Sequence, residues 1–314
     1  KEMNFLSELP LRPIQLEGQA SSDILGLALG QGANPLEIVV MQSKIRPSKN
    51  TLQDIWKKRR GGRPTPVLLV MIYENKVAVC GPTGDTAQKI FDIELSQAER
   101  LCQSVLKEPN RHAATRYLHT SIQSLESILP GVRNEGLLST HEIQSWSNKR
   151  THNSQHTEER LVLADTSGRQ LVEALGYELI SLPGPADVLA SQSERRALAI
   201  FLDRDELPDA TNPRFSNSSP LNYALTKASE EKLEYLIVTR GRSIRIYPIE
   251  PGVGIGRRGQ AETFVELDLD LLSDKHYHLL WDIFSANALE PDSTLHQLLD
   301  NSENYAIDLG ARLR

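Results

Sequence analysis

Eight cationic side chains lie within the 24 residues from Met41 to Pro64, where Asp54 is the only acid. The cations are Lys44, Arg46, Lys49, Lys57, Lys58, Arg59, Arg60 and Arg63. Lysine and arginine contact the phosphates of nucleic acids, and Gly61 with Gly62 would let a phosphate approach the backbone. The stretch therefore predicts a surface for double-stranded DNA or another polyanion. A solvated helix end is the alternative, because cations in the last turn also suit the helix dipole.

The chain as a whole is acidic, with 314 residues and a formal net charge of −6. That charge argues against nonspecific coating of nucleic acid but allows a local basic face. No segment approaches the ~20 apolar residues that span a bilayer, so no membrane partner is expected. The only cysteines, Cys80 and Cys102, follow no spacing motif, which favours a reducing, cytoplasmic setting.

Hydrophobic patterns predict the elements that hold the basic stretch. Residues 36–44 have the β-branched composition of a strand, residues 49–60 have helical spacing, and residues 66–82 indicate a hairpin. The same order recurs at 197–248. The predicted fold class is therefore α/β, with two mixed-sheet units flanked by helices and a C-terminal helical extension. The predicted boundaries are 1–143 for a basic unit, 144–168 for a polar linker and 169–314 for a second unit.

The second unit resembles the restriction-endonuclease-like fold in its order of helix, three strands, helix and strand. That family's PD-(D/E)xK motif uses carboxylates to hold Mg²⁺ and a lysine to position the attacking water. The resemblance makes Asp187, in "GPADVL", and Asp203, in "FLDRDE", the candidate metal ligands. No lysine stands two residues after an acid here. Acids that merely solvate a strand end are the alternative.

The first unit offers a variant of the same motif at Gln42-Ser43-Lys44, in which glutamine replaces the acid. Gln42 and Lys44 are expected on the same side of a strand, because side chains repeat every two residues. Asp23 or Glu37 would supply a carboxylate. Glu37 lies five residues before Gln42 on the same strand and is expected to face the other way. An exposed polar strand end is the alternative.

A glycine-rich segment, "GVGIGRRG", contains the spacing GxGxxG at residues 254–259. A dinucleotide site needs a strand before this spacing and a helix after it, but the following residues predict a strand. The pattern therefore does not indicate a dinucleotide site. Arg257 and Arg258 are kept as candidate contacts to DNA phosphate.

Several longer stretches are similar to the N-terminal region of large bacterial type IIG-like adenine-specific DNA methyltransferases. They are "QSKIRPS", "WKKRRGGRPTPVLLVMIY", "VAVCGP" and "FVELDLDLL" with "LLWDIFSANAL" and "DLGARLR", so the resemblance runs from about residue 37 to residue 314. It implies restriction–modification or phage defence, with double-stranded DNA, a downstream methyltransferase domain and other defence-system proteins as partners.

The resemblance does not carry methylation to this chain. The family's NPPY tetrad does not occur, residues 212–215 read NPRF, and no FxGxG cofactor loop is present. S-adenosylmethionine is therefore expected only in sequence beyond Arg314. We expect a region that engages DNA and, if Gln42 and Lys44 belong to an active centre, cleaves it with Mg²⁺. The alternatives are an inactive nuclease-like module that docks the methyltransferase domain, a partner protein or a DNA mimic, and a phosphate-binding regulatory module.

Overall fold

The computed structural model describes residues 11–16, 18, 23–82, 87–150, 166–256 and 258–312. The chain forms two compact units, which we call unit 1 (1–130) and unit 2 (131–314). Each unit contains one mixed sheet flanked by helices, so the predicted fold class is confirmed. None of the helices in the described ranges is long and apolar enough to cross a membrane.

Unit 1 is built on a five-stranded sheet in the order β1-β2-β3-β4-β5. Its strands are β1 Ile24–Leu29, β2 Glu37–Ser43, β3 Val67–Tyr73, β4 Lys76–Gly81 and β5 Gln88–Glu94. Only β2 and β3 are parallel; the other neighbours are antiparallel. A parallel pair needs a crossover connection, and helix α1, Lys49–Arg60, supplies it.

The predicted helix α1 has the bounds that its sequence pattern indicates. Ser48 caps its first turn by accepting a hydrogen bond from the Thr51 amide at 3.0 Å. Trp56, buried on its inner face, donates to the Val67 carbonyl at 2.7 Å and ties the helix to β3. Two further helices, α2 Leu95–Leu106 and α3 Arg111–Leu125, pack on each other and on β5.

Unit 2 has a seven-stranded sheet in the order β6-β12-β11-β10-β9-β8-β7. The strands are β6 Val132–Glu135, β7 Glu178–Ser181, β8 Ala186–Ser191, β9 Glu194–Leu202, β10 Tyr235–Arg240, β11 Ser243–Pro248 and β12 Phe264–Asp268. The helices are α4 Thr140–Arg150, α5 Gly168–Ala174, α6 Pro220–Glu230, α7 His278–Phe284 and α8 Thr294–Arg312. The last of these is the predicted C-terminal helical extension.

The two units share one pattern of strand pairing. In unit 1 an antiparallel pair, β1 and β2, is followed by α1, the parallel strand β3 and the antiparallel strand β4. In unit 2 the strands β8, β9, β10 and β11 pair in the same way, with α6 as the crossover. The recurrence predicted from the sequence is therefore present in the pairing.

The boundary between the units differs from the predicted one. Residues 131–150 belong to unit 2, because β6 pairs with β12 and α4 covers the whole segment 144–150, which the sequence assigned to a linker. Trp146 on α4 donates to the Asp282 carboxylate at 2.9 Å, a partner 136 residues away. The polar composition of residues 144–150 does not indicate a contact with a residue so distant in sequence. Residues 151–165, the rest of the predicted linker apart from 166–168, lie outside the described residues.

Candidate nucleic-acid interface

Strand β2 separates the residues that were predicted to form one catalytic centre. Glu37 opens the strand, whereas Gln42 is its next-to-last residue and Lys44 follows its end. At about 3.3 Å per residue, Glu37 lies roughly 16 Å from Gln42 along the strand. Glu37 therefore does not belong to a centre with Gln42 and Lys44, and its predicted catalytic role is wrong.

Glu37 instead binds two of the arginines that were predicted to contact DNA. Arg59 approaches its Oε2 to 2.8 Å through Nη2, and Arg63 approaches its Oε1 to 2.9 Å through Nη1. The Glu37 side chain is only 12% exposed. One largely buried carboxylate thus pairs with both guanidinium groups, which leaves a net charge of +1, and holds the end of α1 against the beginning of β2. These two arginines stabilise the fold of unit 1.

Arg46 and Arg60 also contact groups of the protein itself. Arg46 Nη2 lies 2.7 Å from Asp92 Oδ2, and the Tyr73 hydroxyl donates to Asp92 Oδ1 at 2.9 Å. The hydrogen bond from Tyr73, and then the one from Arg46, lowers the pKa of the Asp92 carboxyl. The guanidinium of Arg60 lies 5.3 Å from the ring centroid of Trp56. The arginines of the basic stretch are thus engaged within unit 1.

The lysines of the basic stretch behave differently. Lys44, Lys49, Lys57 and Lys58 are exposed, and none of them forms an ion pair with another described residue. Lys49 opens α1, and Lys57 with Lys58 lies in its last turn. The two groups are therefore about 12 Å apart along the helix. Of the predicted DNA contacts in this stretch, these lysines are the ones left open to a ligand.

Asp23, Gln42 and Lys44 lie at one edge of the sheet. Asp23 directly precedes β1, whose first residue, Ile24, pairs with Met41, the residue before Gln42. The antiparallel pairing thus places Asp23 beside the end of β2. Gln42 and Lys44 are both exposed there. This edge presents a carboxylate, an amide and an ammonium group, which is the set that the QxK interpretation requires.

In unit 2, Asp187 forms an ion pair with an arginine. Its side chain is 4% exposed on β8, and Arg169 Nη2 lies 2.5 Å from its Oδ2. The Arg169 guanidinium also lies 4.7 Å from the ring centroid of Phe201 on β9. Asp187 pairs with Ala199, so Phe201 is on the same side of the sheet. A guanidinium and a benzyl group therefore stand where metal ligands would be needed.

Asp203 does not complete a metal site with Asp187. Its side chain is 81% exposed beyond the end of β9, where Glu206 accepts a hydrogen bond from its amide at 2.9 Å. Arg214 also donates to Glu206, at 2.6 Å. Across the described ranges, no group of three or more His, Cys, Asp or Glu side chains is placed to hold a metal ion. The structure thus does not support Asp187 and Asp203 as metal ligands; the acids around Asp203 stabilise their own loop.

The glycine-rich segment packs against backbone. The amides of Ile255 and Gly256 both donate to the Gly136 carbonyl at 2.9 Å, and a Cβ on Gly254 would lie 2.6 Å from that oxygen. The segment leads to β12 and not to a long helix, as the sequence predicted. Arg258 is paired with Glu135 at 2.6 Å. Arg257, the other predicted DNA contact in this segment, lies outside the described residues.

The formal charge is divided unequally between the units. Residues 1–130 contain 16 Lys and Arg against 13 Asp and Glu, a charge of +3. Residues 131–314 contain 19 against 28, a charge of −9. The net charge of −6 is thus the sum of a basic unit 1 and an acidic unit 2.

Sequence reasoning also missed a second group of cations in unit 1, on helix α3, because they are dispersed along a helix and form no run.

A comparison of the chain with protein-family models, curated proteins and solved structures finds no match. The similarity to methyltransferase N-terminal regions stays a prediction, as does the restriction-endonuclease-like character of either unit.

Proposed function

We propose that unit 1 binds double-stranded DNA through its phosphate backbone. The observation that carries the proposal is the state of the four lysines, Lys44, Lys49, Lys57 and Lys58, which are exposed and make no ion pair within the described part of the chain. They lie in a unit of charge +3, whereas the remainder of the chain is at −9. Lysine is a compact, mobile point charge that contacts phosphate without reading base sequence.

The resemblance supplies the setting of this binding. In our proposal the chain is the cytoplasmic N-terminal region of a bacterial restriction or phage-defence DNA methyltransferase. Methyl transfer from S-adenosylmethionine is then the work of a downstream domain, and other defence-system proteins are further partners. DNA held by unit 1 would be presented to that domain.

The edge formed by Asp23, Gln42 and Lys44 is our candidate centre for DNA cleavage. The Asp23 carboxylate and the Gln42 amide oxygen are hard ligands of the kind that Mg²⁺ accepts, and this ion commonly takes few protein ligands besides water and substrate phosphate. Bound there, Mg²⁺ would polarise a phosphoryl oxygen. Lys44 would hold the attacking water beside the phosphate. Lys49, at the start of α1, would bind a neighbouring phosphate.

A second candidate function is favoured by the contact between Arg169 and Asp187. In unit 2, Arg169 is bound to Asp187, the buried carboxylate of the predicted metal site, and this suits a nuclease-like unit that has no catalytic role. Unit 2 would then dock the methyltransferase domain, a partner protein or a DNA mimic. This alternative concerns unit 2 and is compatible with DNA binding by unit 1.

The lysines of the last turn of α1 provide the test. We expect Lys57→Gln with Lys58→Gln to weaken DNA binding and to make the slope of log K against log salt shallower by about 0.9 for each lost phosphate contact. Glutamine keeps the helix propensity. Lys275→Gln with Arg312→Gln, in unit 2, is the charge-matched control and should leave the slope unchanged. An equal effect of both pairs, or no effect of either, would overturn the proposal.

A further inference from the structure

Helix α3 has an exposed face that carries arginine and histidine side chains. Its buried side consists of Ala113, Ala114, Leu118, Ser121, Ile122 and Leu125. On the opposite side, Arg111, His112, Arg116 and His119 are exposed. No residue of the helix is acidic. The helix thus carries no carboxylate although the chain as a whole has a net charge of −6.

This face forms one wall of an open cleft of about 640 Å³. Pro64, which directly follows Arg63 in the loop after α1, contributes the other side. Thr115, Thr120 and Gln123 add hydroxyl and amide groups to the lining. Every polar group of the lining can donate a hydrogen bond, and none is a carboxylate. The cleft therefore suits an anion.

The start of α3 is fixed at the edge of the sheet where β2 begins. Asn110 caps the helix by accepting from the Ala113 amide at 3.0 Å, and it bridges to Ala33, four residues before β2. Asn34 reinforces the link by donating to the Val105 carbonyl at 2.9 Å. Glu37 binds the end of α1 at the same edge. The last turn of α1 and the first turn of α3 therefore share one edge of unit 1.

The position of Arg111 opposes the stability of α3. Arg111 is the first residue of the helix, and no acid occupies the first turn. A cation near the positive end of a helix dipole is unfavourable, whereas an anion there gains roughly 0.3–1 kcal/mol. Neither Arg111 nor Arg116 has an ion-pair partner within the described ranges. A face that only interacts with water would gain from acids at these positions. A bound anion accounts for the arrangement, since it offsets the two guanidinium charges and also suits the dipole.

We propose that the α3 face and the cleft beside Pro64 hold the phosphate backbone of duplex DNA. This inference rests on the DNA binding proposed above and extends its footprint from Lys57 and Lys58 to α3. Arg111 and Arg116 are five residues apart, or about 7.5 Å along the helix axis. Along the axis of the duplex, the phosphates of one strand follow one another every 3.4 Å or so, and 7.5 Å therefore covers about two such steps. With α3 lying along the duplex, each arginine contacts a phosphate of its own.

The test uses Arg111→Glu with Arg116→Glu in the full 314-residue chain. We expect the salt slope of DNA binding to become shallower by about 0.9 for each arginine, with a loss of affinity at least as large as that of the Lys57 and Lys58 variant. Glutamate at position 111 suits the helix dipole, so we expect Tm to stay the same or rise. Binding and stability would thus change in opposite directions, which a purely structural role of these arginines would not produce.

The control is Lys275→Glu with Arg312→Glu, which makes the same change in charge in unit 2. If the wild-type chain binds DNA and the α3 variant keeps its slope, the α3 site is wrong while binding by the α1 lysines stands. If the wild-type chain does not bind DNA, the proposed function fails first. If Tm falls in the glutamate variant, the test is repeated with Arg111→Gln and Arg116→Gln. An unchanged salt slope of DNA binding in that variant overturns the inference.

Discussion

Arg169 on helix α5 and Asp187 on strand β8 form an ion pair of 2.5 Å, at the position where a nuclease of the resembled fold would need a metal-binding carboxylate. The Asp187 side chain is buried, and a buried charge without a partner is destabilising. In unit 2 the Arg169 guanidinium is that partner.

We predict that Arg169→Ala lowers the free energy of unfolding by about 2–3 kcal/mol, because it leaves the buried Asp187 carboxylate unpaired. Adding Asp187→Asn should recover much of the loss, since the neutral amide needs no counter-charge. Urea unfolding of the two single variants and the double variant measures the coupling. Arg195→Ala, which removes an exposed pair with Glu231, should cost under about 1 kcal/mol. A coupling near zero between Arg169 and Asp187 would show that the pair does not stabilise unit 2.

Lys44 tests whether unit 1 cleaves DNA. If the edge with Asp23 and Gln42 is a cleavage centre, the wild-type chain nicks or cuts duplex DNA only with Mg²⁺, and Lys44→Ala reduces that rate at least about 100-fold. Asp23→Asn should have the same effect, whereas Glu37→Gln should leave cleavage in place. DNA binding is measured in parallel and should survive the loss of one lysine. Cleavage that persists in Lys44→Ala would exclude this centre.

Glu37 restrains two arginines, so its removal should strengthen DNA binding. We predict that Glu37→Gln raises affinity and steepens the salt slope by up to about 0.9 for each released guanidinium. The same change should lower the free energy of unfolding by about 1–2 kcal/mol, because α1 loses its anchor to β2. Asp54→Asn, an exposed change of the same charge on α1, is the control for general electrostatics. Weaker binding by Glu37→Gln than by Asp54→Asn would contradict the assignment of Arg59 and Arg63 to the fold.

A buried histidine should make unit 2 sensitive to acid. Ser147 Oγ lies 2.6 Å from His276 Nδ1, and burial, with smaller effects from Lys275 and His278, lowers the pKa of His276 to about 4. An unfolded histidine has a pKa near 6.5, so between pH 6.5 and 4 the unfolded chain binds more protons. The free energy of unfolding should therefore fall as pH falls through this window, by on the order of 3 kcal/mol in all. In His276→Gln, urea unfolding at several pH values should show a shallower loss, and an identical loss would refute the prediction.

Much of the fold follows from local patterns. The helix at 49–60, the hairpin at 66–82 and the strands at either side of α6 agree with their sequence signals, because each buries a face of regular period. Strands β1 and β5 were not predicted. β1 contains Gly26 and is irregular in its pairing with β2, and β5 alternates polar and apolar residues only in part. Residues 144–150 of helix α4 are polar and predict a linker, because the anchors of the helix, Asp282 and His276, are distant in sequence.

The candidate interface shows a different limit of sequence reasoning. Clustering of cations along the chain pointed to unit 1, whose formal charge is +3, but it did not separate the arginines held by Glu37 and Asp92 from the exposed lysines. That separation depends on where α1 ends relative to β2, which is set by the crossover and not by any one residue. Likewise, the choice between Asp23 and Glu37 required β1 and its antiparallel pairing with β2. The arginines and histidines of α3 were missed because they are spread over nine residues and form no run.

The central claim is that unit 1 binds DNA phosphates, and the most direct measurement is binding of the wild-type chain to labelled duplex DNA over a salt series, with and without Mg²⁺. The account predicts binding at low salt that weakens as salt rises. The slope of log K against log salt should be about −3 or steeper, from the four open lysines. It also predicts similar affinity for unrelated duplex sequences of equal length. No binding at low salt, or binding that does not respond to salt, would contradict it.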